Sequence, residues 1–297
     1  MSAVKPVPKE AVLIVNAQSR RGRALFREAV EKLRGAGIRL ISAHAIRKPD
    51  RLIPTVKEAV RSGAPMVIVG GGDGSLSSAV DELVDRDCVF ALLPLGTANS
   101  FARTLGIPLT LDGAIETIVS GKRRAVDLGV IDGDYFANSA AMGLSPLVAG
   151  TVPHKLKRVL GRFGYLLWAT KCAYSFRPFH LTIEVDGARH EMDVLEVRIA
   201  NGGYHGGVEV VDAAQVDSGE IVVQAVTGRA KNRLLWNWIA TLTRHRSRKD
   251  TVRDFHGRRL KIVTEPRLPI SIDGDLLGHT PATVEVAENA IEVVVPA

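Results

Sequence analysis

A chain of 297 residues, 46% hydrophobic and 24% charged, is long enough for two ordinary cores. Its two cysteines, Cys88 and Cys172, lie far apart with no second Cys or His at ligand spacing, which excludes a disulfide framework and a zinc site. The formal charge of +7 points to anionic partners, whether nucleotides, nucleic acid or an acidic lipid surface.

The start of the chain carries Lys and Pro without the apolar stretch of a secretory signal, and no unbroken apolar run of about 18 residues follows. A cytoplasmic protein is expected. The run Ala11-Val-Leu-Ile-Val15 reads as a buried strand and Ser19-Arg-Arg-Gly22 as a basic turn, after which Leu25, Ala29, Val30 and Leu33 fall at helical spacing. A strand over 38–46, a helix over 49–63, a buried strand over 66–69, a helix over 76–84 and a buried strand over 89–93 continue the alternation. That order predicts an α/β N-terminal nucleotide-binding domain, a parallel sheet flanked by helices, over residues 1–125. Short strands then follow over 125–130, 135–138, 181–185, 194–200 and 220–226. They predict a mainly antiparallel β-sandwich domain over 126–297, interrupted by one helix over 155–176.

The strongest local signal is Val67-Ile-Val-Gly-Gly-Gly-Asp-Gly-Ser75, a buried strand that ends in glycines and an acid just before a helix. Missing side chains let backbone N–H groups approach phosphate oxygens, and a helix N-terminus adds partial positive charge. Phosphate would repel Asp73 unless a cation lay between them, so Asp73 is expected to act through Mg²⁺. A plain tight turn with Ser75 as helix N-cap is the alternative. No Lys-Ser or Lys-Thr follows, and the glycines lack dinucleotide spacing, which excludes ordinary P-loop and Rossmann readings. One strand later, Leu92-Leu-Pro-Leu-Gly-Thr-Ala-Asn-Ser-Phe-Ala-Arg103 again sets a Gly and small polar residues at a strand end, with Thr97 or Asn99 as alternative helix caps.

This pair of segments resembles the paired nucleotide motif of the diacylglycerol and sphingoid-base kinase family. Asn16-Ala-Gln-Ser-Arg-Arg-Gly22, Val126-Asp-Leu-Gly129, Asn138-Ser-Ala-Ala-Met-Gly143 and Ser271-Ile-Asp-Gly-Asp275 resemble further family segments in the same order. The resemblance implies a lipid kinase that moves the γ-phosphoryl group of ATP, with Mg²⁺, onto diacylglycerol or a related lipid alcohol. By position, Asn16, Ser19, Arg20, Gly71, Gly72, Asp73, Gly74, Ser75, Leu76, Ser77, Thr97 and Asn99 would hold ATP. Asp73 and Asp127 would lie near phosphates and metal, and Asp275 would be the catalytic base. Ala17 replaces a usual Pro, Asp275 a usual Glu, and Ser100 an expected Asp. Asp217 is the residue carried over to a structural Mg²⁺ site of bacterial members. There Ser218 aligns with a ligand Asp, and a polar hairpin turn is an equal reading.

The resemblance further implies a peripheral encounter with an anionic membrane surface. Residues 154–168, which mix Lys155, Lys157, Arg158 and Arg162 with Leu160, Phe163 and Trp168, could supply it, with the basic run 244–249 assisting. A solvated amphipathic helix and a solvated charge run are the bland alternatives. No helix-turn-helix, zinc finger or aromatic RNA-binding signature supports nucleic acid as a partner. An NAD kinase is the runner-up, since the Gly-Gly-Asp-Gly loop occurs there too, although the continuation after Pro94 resembles the lipid kinases. A non-catalytic nucleotide- or lipid-binding protein is the other alternative, and a homodimer stays open.

Overall fold

The computed structural model describes residues 5–18, 20–153, 168, 170–172, 174–227 and 252–297. Four parallel strands open the chain: β1 (Glu10–Asn16), β2 (Arg39–Ile46), β3 (Met66–Gly71) and β4 (Val89–Pro94), in the order β4-β3-β1-β2. Helices α1 (Arg20–Gly35), α2 (Leu52–Arg61), α3 (Asp73–Val80), α4 (Ser100–Thr104) and α5 (Leu111–Ser120) connect or follow them. Every residue of β3 and β4 is buried, as expected of parallel strands covered on both faces. In α1 Ala29 and Leu33 are fully buried, while Lys32 and Arg34 in its last turn oppose the negative end of the helix dipole.

The second half contains β5 (Lys122–Ile131), β6 (Asp134–Phe136), β7 (Ser139–Gly143), α6 (Leu144–Thr151), β8 (Phe179–Val185) and β9 (Ala188–Ala200). A small hairpin, β10 (Tyr204–His205) with β11 (Val208–Glu209), precedes β12 (Ile221–Thr227), β13 (Val252–Gly257), β14 (Arg259–Glu265), β15 (Pro269–Ile272), β16 (Asp275–His279) and β17 (Ala282–Val295). All pairings within this half are antiparallel. The α/β and sandwich expectation is therefore correct, and its residues split into two main apolar clusters.

The two halves are not independent. Near its start β17 pairs with β14 and β5, and near its end Glu292 and Val293 pair in parallel with Val89 and Phe90 of β4. One continuous sheet results, and the last residues of the chain belong to the first core along with Val126 and Leu128. The boundary expected at 125/126 thus falls inside β5. The helix expected over 76–84 begins earlier, at Asp73, and ends at Val80, since the glycine-rich segment itself supplies the first turn. Of the helix expected over 155–176, residues 155–167, 169 and 173 lie outside the described residues, as does the basic run 244–249. Among the described residues, no helix is long and apolar enough to cross a membrane.

Candidate active site

The parallel register sets the ends of β3 and β4 side by side, with Gly71 opposite Pro94 and the Leu95 N–H donating to the Gly71 carbonyl at 2.8 Å. The two following loops touch backbone to backbone: a Cβ on Gly96 would stand 2.5 Å from the Gly72 Cα. Real side chains do not approach so closely, so glycine at 96 is a steric requirement of the loop pair. Asn99 takes the left-handed conformation, φ 50°, and is buried. Its Oδ1 accepts the Gly96 N–H at 2.9 Å and its Nδ2 donates to the Gly96 carbonyl at 3.0 Å. The Asn99 amide therefore folds its own loop.

Asp73, the first residue of α3, reaches across to the start of α4. Its Oδ1 accepts the N–H of Ser100 at 2.5 Å and of Phe101 at 3.4 Å, supplying a cap from another segment. Neither Ser75 nor Asn99 caps a helix with its side chain; Gly72 is the N-cap of α3. Asn16, at the end of β1, donates through Nδ2 to Ser75 Oγ at 3.1 Å. Asn16, Gln18, Gly22, Leu25, Gly71, Gly72 and Leu95 line an open pocket of ≈ 350 Å³ beside the N-terminus of α3.

A second cavity, ≈ 170 Å³, lies between these loops and the sandwich, lined by Asp73, Ser77, Ser100, Asn138, Ser139, His205, Gly206, Asp273 and Gly274. Asp273, in the turn between β15 and β16, accepts the N–H of Ala137 at 2.9 Å and of Ser139 at 3.0 Å, and lines the cavity together with Ser77 of α3. It thereby ties the β15–β16 turn to β7. Burial pushes the Asp273 carboxyl up, and the amide bonds only partly offset that push. Asn138 Oδ1 accepts from Thr104 Oγ1 at 2.8 Å, and its amide donates to the Tyr204 carbonyl, latching α4 to the β10–β11 hairpin. His205 Nδ1 lies 2.8 Å from Ser139 Oγ. The residue is exposed at the hairpin, and desolvation of its ring by the surrounding protein lowers its affinity for a proton.

An apolar groove of ≈ 200 Å³ runs between α6 and the β15–β16 hairpin, lined by Pro146, Leu147, Phe176, Leu268, Pro269 and Leu276 among others. Leu276 and Leu277 are 58% and 60% exposed, next in chain to Asp275.

The residues named from the sequence divide. Asn16, Gly71, Gly72, Asp73, Ser75 and Ser77 come together at the two cavities, and Gly74 is exposed beside them. Thr97 is exposed on the neighbouring loop. Leu76 is fully buried in the core, so only its backbone could meet a nucleotide. Arg20 opens α1, and Ser19 lies outside the described residues. Asp275 is exposed at the start of β16, two residues beyond Asp273.

Asp127 lies away from the residues that line the two cavities. Its carboxylate is buried and accepts the N–H groups of Gly219 and Asn289, each at 2.8 Å, which satisfies backbone donors at the β5–β17 bulge. Asp217 pairs with Arg124. Among the described residues no group of three or more His, Cys, Asp or Glu could enclose a metal ion by itself. Among the described residues Asp73 Oδ2 has no hydrogen-bond partner, and one carboxylate oxygen completed by phosphate and water oxygens is the usual donor set for Mg²⁺. The residues present fit Mg²⁺ held jointly with a nucleotide. Sequence reasoning missed His205, and read Ser100 only as the replacement of an acid, since the bond of Ser100 to the hairpin depends on where that hairpin docks.

Residues 10–131 match the diacylglycerol kinase catalytic domain, and residues 138–295 match the YegS C-terminal NAD kinase beta sandwich-like domain. The chain is 28% identical over 293 residues to a "Probable lipid kinase YegS-like" of Enterobacter sp. (strain 638), covering 97% of this chain and 96% of that protein. It is also 28% identical over 300 residues to a diacylglycerol kinase of Bacillus subtilis (strain 168), covering 97% of each. A crystal structure of a diacylglycerol kinase from Bacillus anthracis str. Sterne superposes with TM-score 0.77 at 22% identity, over 98% of each chain.

Proposed function

Since the chain belongs to the diacylglycerol kinase catalytic-domain family of YegS-like lipid kinases, phosphotransferases with an alcohol acceptor, we propose that it phosphorylates diacylglycerol or a related lipid alcohol at an anionic membrane surface. The observation that carries the lipid acceptor is the apolar groove on the same hairpin that bears Asp273 and Asp275. An acyl chain laid along Leu147, Phe176 and Leu276 would bring its headgroup toward that turn.

In this reading the triphosphate lies along the Gly71–Ser75 loop, where the exposed N–H groups of α3 and the hydroxyls of Ser75 and Ser77 meet its oxygens. Mg²⁺, held by Asp73 and the phosphates, would supply charge neutralisation on the transferring group. Asp275 accepts the proton of the acceptor hydroxyl as its oxygen bonds to the γ-phosphorus, while the β,γ-bridging oxygen leaves with ADP. Asp is one methylene shorter than Glu, and an exposed position at the lip of a turn lets the carboxylate reach an incoming hydroxyl directly or through one water.

The test is transfer of labelled γ-phosphate from ATP into total bacterial lipid in mixed micelles, with NAD offered as acceptor in parallel. Labelled lipid is expected from the wild type, lost in Asp73→Ala and Asp275→Ala, and reduced in Leu276→Asp with ATP binding kept. Label in NAD, or none despite ATP binding, would replace the lipid-kinase reading.

A further inference from the structure

The cavity between the nucleotide loops and β7 contains two carboxylates, Asp73 and Asp273, and no Lys or Arg among the described residues that line it. A phosphoryl group entering there adds negative charge to an already acidic cleft, and preorganised donors aimed at the reacting oxygens are worth most in such a place. His205 is the one described lining residue able to carry positive charge.

Its hairpin is held from several directions. The Tyr204 carbonyl accepts from Asn138, and the Gly207 N–H donates to Ser100 Oγ at 3.0 Å. Gly207 packs so closely on Ala98 that a Cβ there would stand 3.1 Å from the Ala98 carbonyl oxygen. Ser100, standing where the family resemblance leads one to expect an acid, thus fastens the histidine turn to the nucleotide loop. Ser139 Oγ engages Nδ1, and Nε2 has no hydrogen-bond partner among the described residues. A histidine kept only for packing would face the core; His205 instead lines the cavity that Asp73 and Asp273 also line.

We propose that His205 is a catalytic residue of this chain, whose Nε2 donates a hydrogen bond to the transferring γ-phosphoryl group while Ser139 fixes the ring through Nδ1. The identity of the transferred group rests on the kinase reading. In the step itself the bond from phosphorus to the β,γ-bridging oxygen breaks, the bond to the acceptor oxygen forms, and the hydroxyl proton goes to Asp275. His205 keeps its proton throughout, and its hydrogen bond strengthens as charge gathers on the equatorial oxygens.

The charges facing the ring set how binding and protonation are linked. Burial is the chief influence and holds the imidazole below its ordinary value; Glu196 and Arg198 on β9 act up and down respectively, and Asp273 and Asp73 act upward. Bound triphosphate adds a further upward influence, so nucleotide binding is accompanied by proton uptake, and affinity falls as pH rises through the value in the complex.

Calorimetry of adenylyl imidodiphosphate with Mg²⁺, in two buffers of different ionisation enthalpy just below pH 7, reads that uptake without any lipid. The expected result is uptake by the wild type, its loss in His205→Gln with an unchanged melting temperature, and a kcat for lipid transfer lower by about 10²-fold at unchanged lipid KM. Ser139→Ala, which loosens the ring without removing it, is expected to give a smaller drop in kcat. Equal proton uptake in His205→Gln and wild type, or equal kcat, would overturn the proposal. Uptake lost in His205→Gln in a protein that phosphorylates no lipid would support the phosphate contact while refuting the kinase reading.

Discussion

Gly74 separates what the nucleotide loop needs for folding from what it needs for binding. It is the second residue of α3, exposed, with an ordinary φ, and a Cβ built on it meets nothing within 4 Å. Nothing in the free protein calls for glycine there, and in a helix Gly costs about 0.5–1 kcal/mol relative to Ala. Gly74→Ala should therefore leave stability unchanged or raise it, by about 2–4 °C in melting temperature per kcal/mol for a chain of this size. If phosphates lie against the N-terminus of α3, the added methyl intrudes on them. Overpacking of that kind costs about 1–3 kcal/mol, which weakens nucleotide binding on the order of tenfold to hundredfold. Gly96→Ala is the contrasting case, since its Cβ would meet the Gly72 backbone at 2.5 Å and push the two loops apart, so stability and binding should fall together. Thermal melts beside a fluorescent-ATP titration check both variants. A Gly74→Ala protein that binds ATP as tightly as wild type would refute the placement of phosphates at this helix start.

Asp127→Ala should destabilise the fold by about 2 kcal/mol or more, because the amides of Gly219 and Asn289 both lose a buried acceptor, and urea unfolding checks it. In the folded protein the Asp81 carboxyl is raised to about 6, by burial first and then by Asp134, Glu82 and Asp273. A raised acid favours the fold while protonated: its contribution is present below the unfolded value of 3.8 and is lost as pH rises through about 6. Asp81→Asn should accordingly melt above wild type at pH 7.5, and that gap should close as pH falls from about 6 toward 4.

Much of the first half is legible because its signals are local. β3 and β4 are unbroken apolar runs, and parallel strands buried on both faces require such runs. The glycines after them are legible for a related reason: the backbone contact of Gly72 with Gly96 leaves no room for a side chain, so chemistry and sterics demand the same residue. β17 gave no comparable signal. Its middle residues are partly exposed and bulged, and its partners β4 and β5 lie more than 150 residues earlier, so its role in closing both cores depends on a long-range pairing.

The acids show the same division at the site. Asp127, Asp273 and Asp275 all stand in motif-like segments, yet which backbone amides converge on each decides its work. Gly219 and Asn289 occupy both oxygens of Asp127, and Ala137 and Ser139 hold those of Asp273, while Asp275 is left exposed beside the groove. Amides distant in sequence fix Asp127 and Asp273 as ties between elements, and a carboxylate so fixed gives up its bonds only at a cost in stability. An acid that must take a proton and release it each cycle is better placed where no amide competes for it, and among the described residues no such amide meets Asp275, which the proposed function makes the base.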